Sequence, residues 1–104
     1  ARAAEAYQAL RQRFPGTAGA SAAAFQLGRL AFDGAGNHDA ARRWFSAYLS
    51  EQPGGAFAQE ALGRLLEAEH RLGLREQATQ TAARYLARHP NGAHAALARS
   101  LVGE

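Results

Sequence analysis

The sequence contains no cysteine and no methionine, and it has no long apolar run. Without cysteine the chain cannot form a disulfide, complete a cysteine-ligated zinc site or provide a thiol nucleophile. A run of about 18 apolar residues would be needed to suggest a membrane-spanning helix, so direct membrane insertion is not expected. The first residues, Ala1 to Glu5, also lack the unbroken apolar segment of a signal peptide.

Lysine is absent as well, since the 12 basic residues are all arginine, spread from Arg2 to Arg99. The net charge is +3. A nucleic-acid-binding protein usually clusters its basic residues on one face. Here only Arg42 and Arg43 are adjacent, and acidic residues lie between the others. The sequence therefore does not indicate a nucleic-acid partner.

The length of 104 residues predicts one domain, residues 1–104, with a modest core. A domain of this size is small for an enzyme with an enclosed pocket. The chain begins without methionine and inside a predicted helix, so we expect it to be a fragment of a longer protein.

A repeated pattern runs through the chain. Pro15-Gly16 recurs 38 residues later as Pro53-Gly54, and again after a further 37 residues as Pro90-Asn91-Gly92. The pairs that keep the 37-residue step are Gly36 and Gly73, Ala41 and Ala78, and Tyr48-Leu49 and Tyr85-Leu86. A period between about 20 and 50 residues is typical of stacked repeats, which bury their apolar faces against one another.

The segments between these marks predict helices, because apolar residues recur at spacings of three and four and never alternate as in a strand. The predicted helices span 1–13, 21–32, 38–51, 56–72, 75–89 and 93–102. Gly28 and Gly63 lie inside two of them, where glycine costs about 0.8 to 1 kcal/mol relative to alanine. Their matching positions predict that a neighbouring helix comes close there.

The same residues resemble the tetratricopeptide repeat, whose outline is W-x2-L-G-x2-Y, then A-x3-F, then P. The matching residues are Leu27-Gly28, Ala41, Phe45 and Pro53 in one copy, and Leu62-Gly63, Ala78 and Pro90 in the next. The Trp and Tyr positions hold other residues, Ala82 replaces the Phe, and the period exceeds the usual length of about 34 residues. Long, alanine-rich copies ending in Tyr-Leu-x3-Pro-x-Gly are similar to the repeats of bacterial cell-envelope proteins, namely the Tol-Pal-associated coiled-coil protein and the outer-membrane assembly lipoproteins.

The resemblance implies an all-α fold, a right-handed α-solenoid of antiparallel helix pairs with about two and a half repeats. It also implies a non-catalytic protein-interaction module, or scaffold, of an envelope-associated bacterial protein, with a protein or peptide as the partner. The expected location is the periplasm or cell envelope, and the cytoplasm is the alternative. One alternative is a self-associating or regulatory C-terminal repeat segment of a larger protein, such as an anti-sigma-type regulator. Another is the accessory domain of an enzyme.

The polar residues do not suggest catalysis. The four histidines, His38, His70, His89 and His94, lack the spacing of known zinc motifs. No serine lies in a nucleophile elbow, and the Gly-rich segments lack the preceding strand and following lysine of a phosphate-binding loop. No metal, cofactor or catalytic residue is therefore expected.

The resemblance further implies which residues face a concave groove. They are Phe25, Arg29 and Phe32 from one copy, and Phe57, Glu60, Arg64 and Glu67 from the next. Arg29 and Arg64 hold equivalent positions, and a guanidinium group presents paired donors that suit a partner's carboxylate. Alternatively, both arginines pair with Glu60 or Glu67 and serve only to solvate the surface.

Overall fold

A computed structural model describes residues 2–103 and shows an all-α protein, as predicted. Its helices are α1 (Arg2–Arg13), α2 (Ala18–Arg29), α3 (His38–Glu51), α4 (Ala58–Arg71), α5 (Arg75–Arg88) and α6 (Ala95–Leu101). A π-helical turn, Leu30–Gly34, continues α2. None of the residues in this range forms a strand.

Each helix makes its most extensive contacts with the helices next to it in the sequence. The molecule measures 44 × 26 × 20 Å along its principal axes, so it is elongated. The largest fully buried side chains are Phe25, Phe45, Leu66 and Tyr85, contributed by four consecutive helices, α2 to α5. The core therefore extends along the series of helices, and each inner helix contributes to it.

The second helix differs most from its predicted bounds of 21–32. It begins earlier, at Ala18, because the Thr17 hydroxyl caps it by accepting a hydrogen bond from the Ala20 amide at 3.1 Å. The α-helix itself ends at Arg29, but the helical path continues past residue 32 in the π-helical turn. There the Ala35 amide donates to the carbonyl of Leu30, five residues earlier, at 3.2 Å. Gly28-Arg29-Leu30 recurs after 35 residues as Gly63-Arg64-Leu65, whereas Gly36 recurs after 37 residues as Gly73. The π-helical turn, which carries Phe32 and Asp33, therefore lies where the two copies differ in length by two residues.

At both mid-helix glycines the space is filled by a neighbouring side chain, whereas the close approach of a neighbouring helix was predicted. A Cβ atom on Gly28 would lie 2.6 Å from Cε1 of Phe45, and one on Gly63 would collide with the imidazole of His94. The neighbour is thus an aromatic side chain in each case. Phe45 fills the space in the first copy, whereas the equivalent Ala82 is too short in the second, and a ring from the following repeat takes its place.

Two tyrosines form the same hydrogen bond one repeat apart. The Tyr48 hydroxyl accepts from the amide of Phe57 at 3.0 Å, and the Tyr85 hydroxyl accepts from the amide of His94 at 3.0 Å. Both tyrosines are buried. A side chain on Gly55 or Gly92 would collide with these hydroxyls, which explains the last glycine of Tyr-Leu-x3-Pro-x-Gly. The motif therefore sets the position at which the chain enters α4 and α6.

Candidate functional site

A cleft with a volume of about 680 Å³ lies between the π-helical turn, α4 and the loop that leads into α6. We call it the central cleft. The charged and aromatic residues that line it are Phe32, Asp33, Glu60, Arg64, Glu67, Tyr85 and His94. Its lining side chains come from segments about 30 residues apart in the sequence. They meet because helices that are consecutive in the sequence pack side by side.

Arg64 is the centre of an ion network in this cleft. Its Nη1 donates to both carboxylate oxygens of Asp33, at 2.9 and 3.0 Å, and its Nε donates to Oε2 of Glu60 at 2.9 Å. Partial burial lowers the pKa of Arg64, but the bonds and charges of Asp33 and Glu60 outweigh it, so the pKa is raised. The side chain of Arg64 is 21% exposed, whereas those of Asp33 and Glu60 are 50% and 47% exposed. A partner can therefore reach the carboxylates more easily than the guanidinium group.

A second network forms around Glu67. Arg71 Nη2 lies 3.1 Å from Glu67 Oε2, and His94 Nε2 lies 3.4 Å from Glu67 Oε1. The guanidinium carbons of Arg64 and Arg71 lie 5.8 and 5.9 Å from the centre of the Phe32 ring. Both distances are within the range of cation–π attraction, which helps to hold the Phe32 ring in the cleft.

The predicted groove residues fall into three groups. Phe32, Glu60, Arg64 and Glu67 line the central cleft. Arg29 lines an adjacent cleft of about 360 Å³ beside α1, and the two clefts share Asp33. Phe25 is 1% exposed and belongs to the core, because it stacks on the half-buried Phe57 with ring centres 4.5 Å apart. Phe25 therefore lies beneath the surface that a partner could touch.

The two arginines differ in their surroundings. Arg64 pairs with Glu60, as the alternative interpretation proposed, and also with Asp33. Arg29 makes a long hydrogen bond, 3.4 Å, to the Gln26 side chain and forms no ion pair with a carboxylate of residues 2–103. Its guanidinium group is the more available of the two for a carboxylate from outside.

Sequence reasoning missed Asp33, Arg71 and His94. Asp33 reaches the cleft through the π-helical turn, and the difference in length between the two copies marks this place without specifying its conformation. His94 could have been found, because it lies 37 residues after Phe57 and so occupies the equivalent position in the next copy. Arg71 lies four residues after Glu67, the usual spacing for an ion pair on one helix face.

Outside the clefts, Glu69 of α4 is a buried carboxylate. It is 7% exposed, and its Oε1 atom has no hydrogen-bond partner. Burial raises the pKa of Glu69, and this effect outweighs the Thr81 hydroxyl and the charges of Arg42 and Arg84, all of which favour the ionised form. Ionisation of Glu69 is therefore less favourable in the folded protein than in the unfolded chain, and this lowers the free energy of unfolding at neutral pH.

This cost should make the free energy of unfolding depend on pH. Because the pKa of Glu69 is raised in the folded protein, the stability contributed by its protonated form is present below the ordinary Glu pKa and is lost as the pH rises through the folded value. Replacing it with Gln keeps the side chain neutral. We expect Glu69→Gln to be more stable than the natural protein at pH 7, by a margin that shrinks towards pH 4, as measured by urea unfolding.

Glu51 provides the control of opposite sign. Hydrogen bonding to Arg11, at 2.8 and 3.1 Å, lowers the pKa of Glu51, and the Ser21 hydroxyl adds to this effect. The stability gained by its ionised form is present above the ordinary Glu pKa and is lost as the pH falls through the lower, folded value. Glu51→Gln should therefore be destabilised at pH 7 and less so in acid. The same trend in both variants would contradict this assignment.

Among residues 2–103, no three His, Asp or Glu side chains converge as ligands for a metal ion. Within the same range, no helix combines the length and apolar character needed to cross a bilayer. Comparison of the sequence with models of known protein families and with curated proteins found no match.

Proposed function

We propose that this chain is a non-catalytic protein-interaction module, a tetratricopeptide-like right-handed solenoid of about two and a half repeats. Consecutive packing of the helices supports this interpretation. So does the hydrogen bond that recurs one repeat apart, in which the hydroxyls of Tyr48 and Tyr85 accept from main-chain amides. Recurrence of the same tertiary contact favours stacked copies of one unit over an unrelated helical bundle.

The observation that carries the functional proposal is the lining of the central cleft, in which exposed carboxylates lie beside the half-buried ring of Phe32. Asp33 and Glu60 are about half exposed, and the guanidinium groups of Arg64 and Arg71 are within 6 Å of the centre of the Phe32 ring, at 5.8 and 5.9 Å. The hydroxyl in the lining, that of Tyr85, belongs to a buried side chain and accepts a hydrogen bond from the His94 amide, which is a structural role. Such a surface suits binding of an extended partner segment better than chemistry on a substrate.

Arg29 extends this surface into the adjacent cleft through Asp33. A segment that crosses both clefts would place an apolar side chain against Phe32 and a carboxylate against Arg29. Arg64 would contribute mainly by holding Asp33 and Glu60 in position. The partner we propose is therefore a protein segment with an acidic residue beside an apolar one.

The biological setting we propose is the periplasm or envelope of a bacterium, on the strength of the sequence resemblance. Self-association, within a larger regulatory protein, is the second candidate. It is favoured by the exposed apolar side chains of Leu10 and Phe14 at one end of the molecule, which are 37% and 52% exposed. Sedimentation of the chain alone separates the two, because self-association raises the apparent mass with concentration.

The interaction proposal predicts that Arg29→Ala, Arg64→Ala weakens partner binding. A bacterial envelope fraction would be passed over the immobilised chain, and the captured protein's affinity would be measured for each variant. We expect the double variant to bind about tenfold more weakly, about 1.4 kcal/mol, through loss of the Arg29 contact and of the Arg64 network.

The matched control is Arg13→Ala, Arg75→Ala, which removes the same charge from two exposed positions outside both clefts. It should retain the natural affinity within about twofold. All variants must keep the helical circular dichroism of the natural chain. Equal binding by both double variants would show that the clefts do not receive the partner.

A further inference from the structure

A smaller pocket of about 340 Å³ lies where α5 faces the loop between α3 and α4. We call it the Arg84–Arg88 pocket. The buried side chains of Leu49 and Leu62 contribute its apolar part, and the loop at Pro53-Gly54-Gly55 forms one side. Arg84, Arg88 and His89 of the last two turns of α5 and its C-terminal cap form the other.

The charge of this pocket has one sign. The clefts that contain Arg11, Arg29 and Arg64 each include a carboxylate in their lining, whereas this pocket has two arginines and no acidic residue. Neither Arg84 nor Arg88 forms an ion pair with a carboxylate of residues 2–103. The carboxylate of Glu69, which responds to the charge of Arg84, is buried and does not line the pocket.

The arrangement also includes an unfavourable contact that a ligand would relieve. Arg84 and Arg88 are four residues apart on one helix, so they share a face and repel each other. His89 is held beside them by its ring packing on Tyr85, with centres 5.3 Å apart. An anion placed between the arginines would replace this repulsion with two attractive contacts.

We propose that the Arg84–Arg88 pocket binds an acidic segment of a protein partner, with a carboxylate side chain at the two arginines and an apolar side chain on Leu49 and Leu62. A guanidinium group offers paired, planar donors to a carboxylate. The volume is near the lower end of that of ligand sites and suits one or two side chains. The pocket meets the central cleft at Ala56 and Gln59, but its binding does not depend on the function proposed for that cleft.

The test is an NMR titration of the ¹⁵N-labelled chain with the capped peptide Glu-Glu-Leu-Glu-Glu at low salt. Saturable shifts should appear at the amides of Gly54, Gly55 and Gln59, and they should weaken as salt screens the charges. The peptide Gln-Gln-Leu-Gln-Gln should bind at least about tenfold more weakly, because charge-assisted hydrogen bonds are about twice as strong as neutral ones.

Variants locate the site. Arg84→Gln, Arg88→Gln should bind the Glu peptide about tenfold more weakly, whereas Arg13→Gln, Arg75→Gln, with the same net charge, should stay within about twofold. Equal losses in both would mean nonspecific attraction and would overturn the proposal. Inorganic phosphate that binds as tightly as the peptide would also overturn it, by showing a small-anion site.

A third variant separates this proposal from the first. Arg29→Ala, Arg64→Ala should leave the peptide-induced shifts of Gly54 and Gly55 unchanged, because neither arginine lines this pocket, whereas any shifts in the two clefts should be lost. If that variant loses the peptide while Arg84→Gln, Arg88→Gln keeps it, the acidic segment binds in the clefts and the proposal for this pocket is wrong. If the pocket variant alone loses the peptide, the pocket is the site, whatever the envelope capture shows.

Discussion

Replacing Phe45 with alanine should lower the free energy of unfolding by about 3 to 5 kcal/mol. The Phe45 side chain is fully buried, with 0% exposure, and its ring lies on the backbone of Gly28 and 5.8 Å from the ring of Phe25. Removing it leaves a cavity between α2 and α3 that the rigid helices cannot close. Urea unfolding would measure the loss, and Phe14→Ala, at a position 52% exposed, should cost far less.

The contact with Gly28 can be tested separately by a double-mutant cycle. In the natural protein, Gly28→Ala pushes a methyl group into the Phe45 ring, and overpacking of this kind costs about 1 to 3 kcal/mol. In the Phe45→Ala background the ring is absent, so the same change should recover about 0.8 to 1 kcal/mol of helix propensity. An identical effect in both backgrounds would show that the ring does not lie on Gly28.

The second large effect should come from removing two hydroxyl groups. Tyr48→Phe leaves the Phe57 amide unpaired, and Tyr85→Phe leaves the His94 amide unpaired. Each orphaned donor costs about 1 to 3 kcal/mol in a buried setting. The two bonds share no partner, so the costs should add, and the double variant should lose about 2 to 6 kcal/mol in urea unfolding.

Tyr7→Phe is the matched control, because the Tyr7 hydroxyl of α1 makes no hydrogen bond with residues 2–103. It should change stability by less than about 0.5 kcal/mol. A double variant that is no less stable than this control would mean that the tyrosine hydroxyls do not support the turns into α4 and α6. In that case, hydrogen exchange at the Phe57 and His94 amides would be as fast in the natural protein as in the double variant.

Much of the local structure was predictable because it depends on neighbours in the chain. The third helix was predicted at 38–51 and lies at His38–Glu51, since Asn37 caps it by accepting from the Ala40 amide at 3.0 Å. The fourth helix was predicted to end at residue 72 and ends at Arg71, and Gly73 shortly after it adopts a φ of 74°, a conformation that glycine accepts without strain. Each of these features is set within a few residues.

The candidate site was predictable in part. Phe32, Glu60, Arg64 and Glu67 do meet in one cleft, because the π-helical turn after α2 lies beside one face of α4. Phe25 was expected at the surface but is covered by Phe57, whose position depends on the Tyr48 hydrogen bond. A repeat pattern shows which positions are equivalent, but it does not show which of them a later segment covers.

The sequence by itself determined the helical periodicity, the repeat step of 37 to 38 residues and the two places where a helix had to lack a side chain. These depend on backbone preferences and on spacing along one helix. Only the tertiary structure decided that a phenylalanine fills the first gap and a histidine the second, and that Arg64 pairs with Asp33, 31 residues away. Such contacts depend on the π-helical turn and on how consecutive helices stack, and small changes in helix rotation move a long side chain from one partner to another.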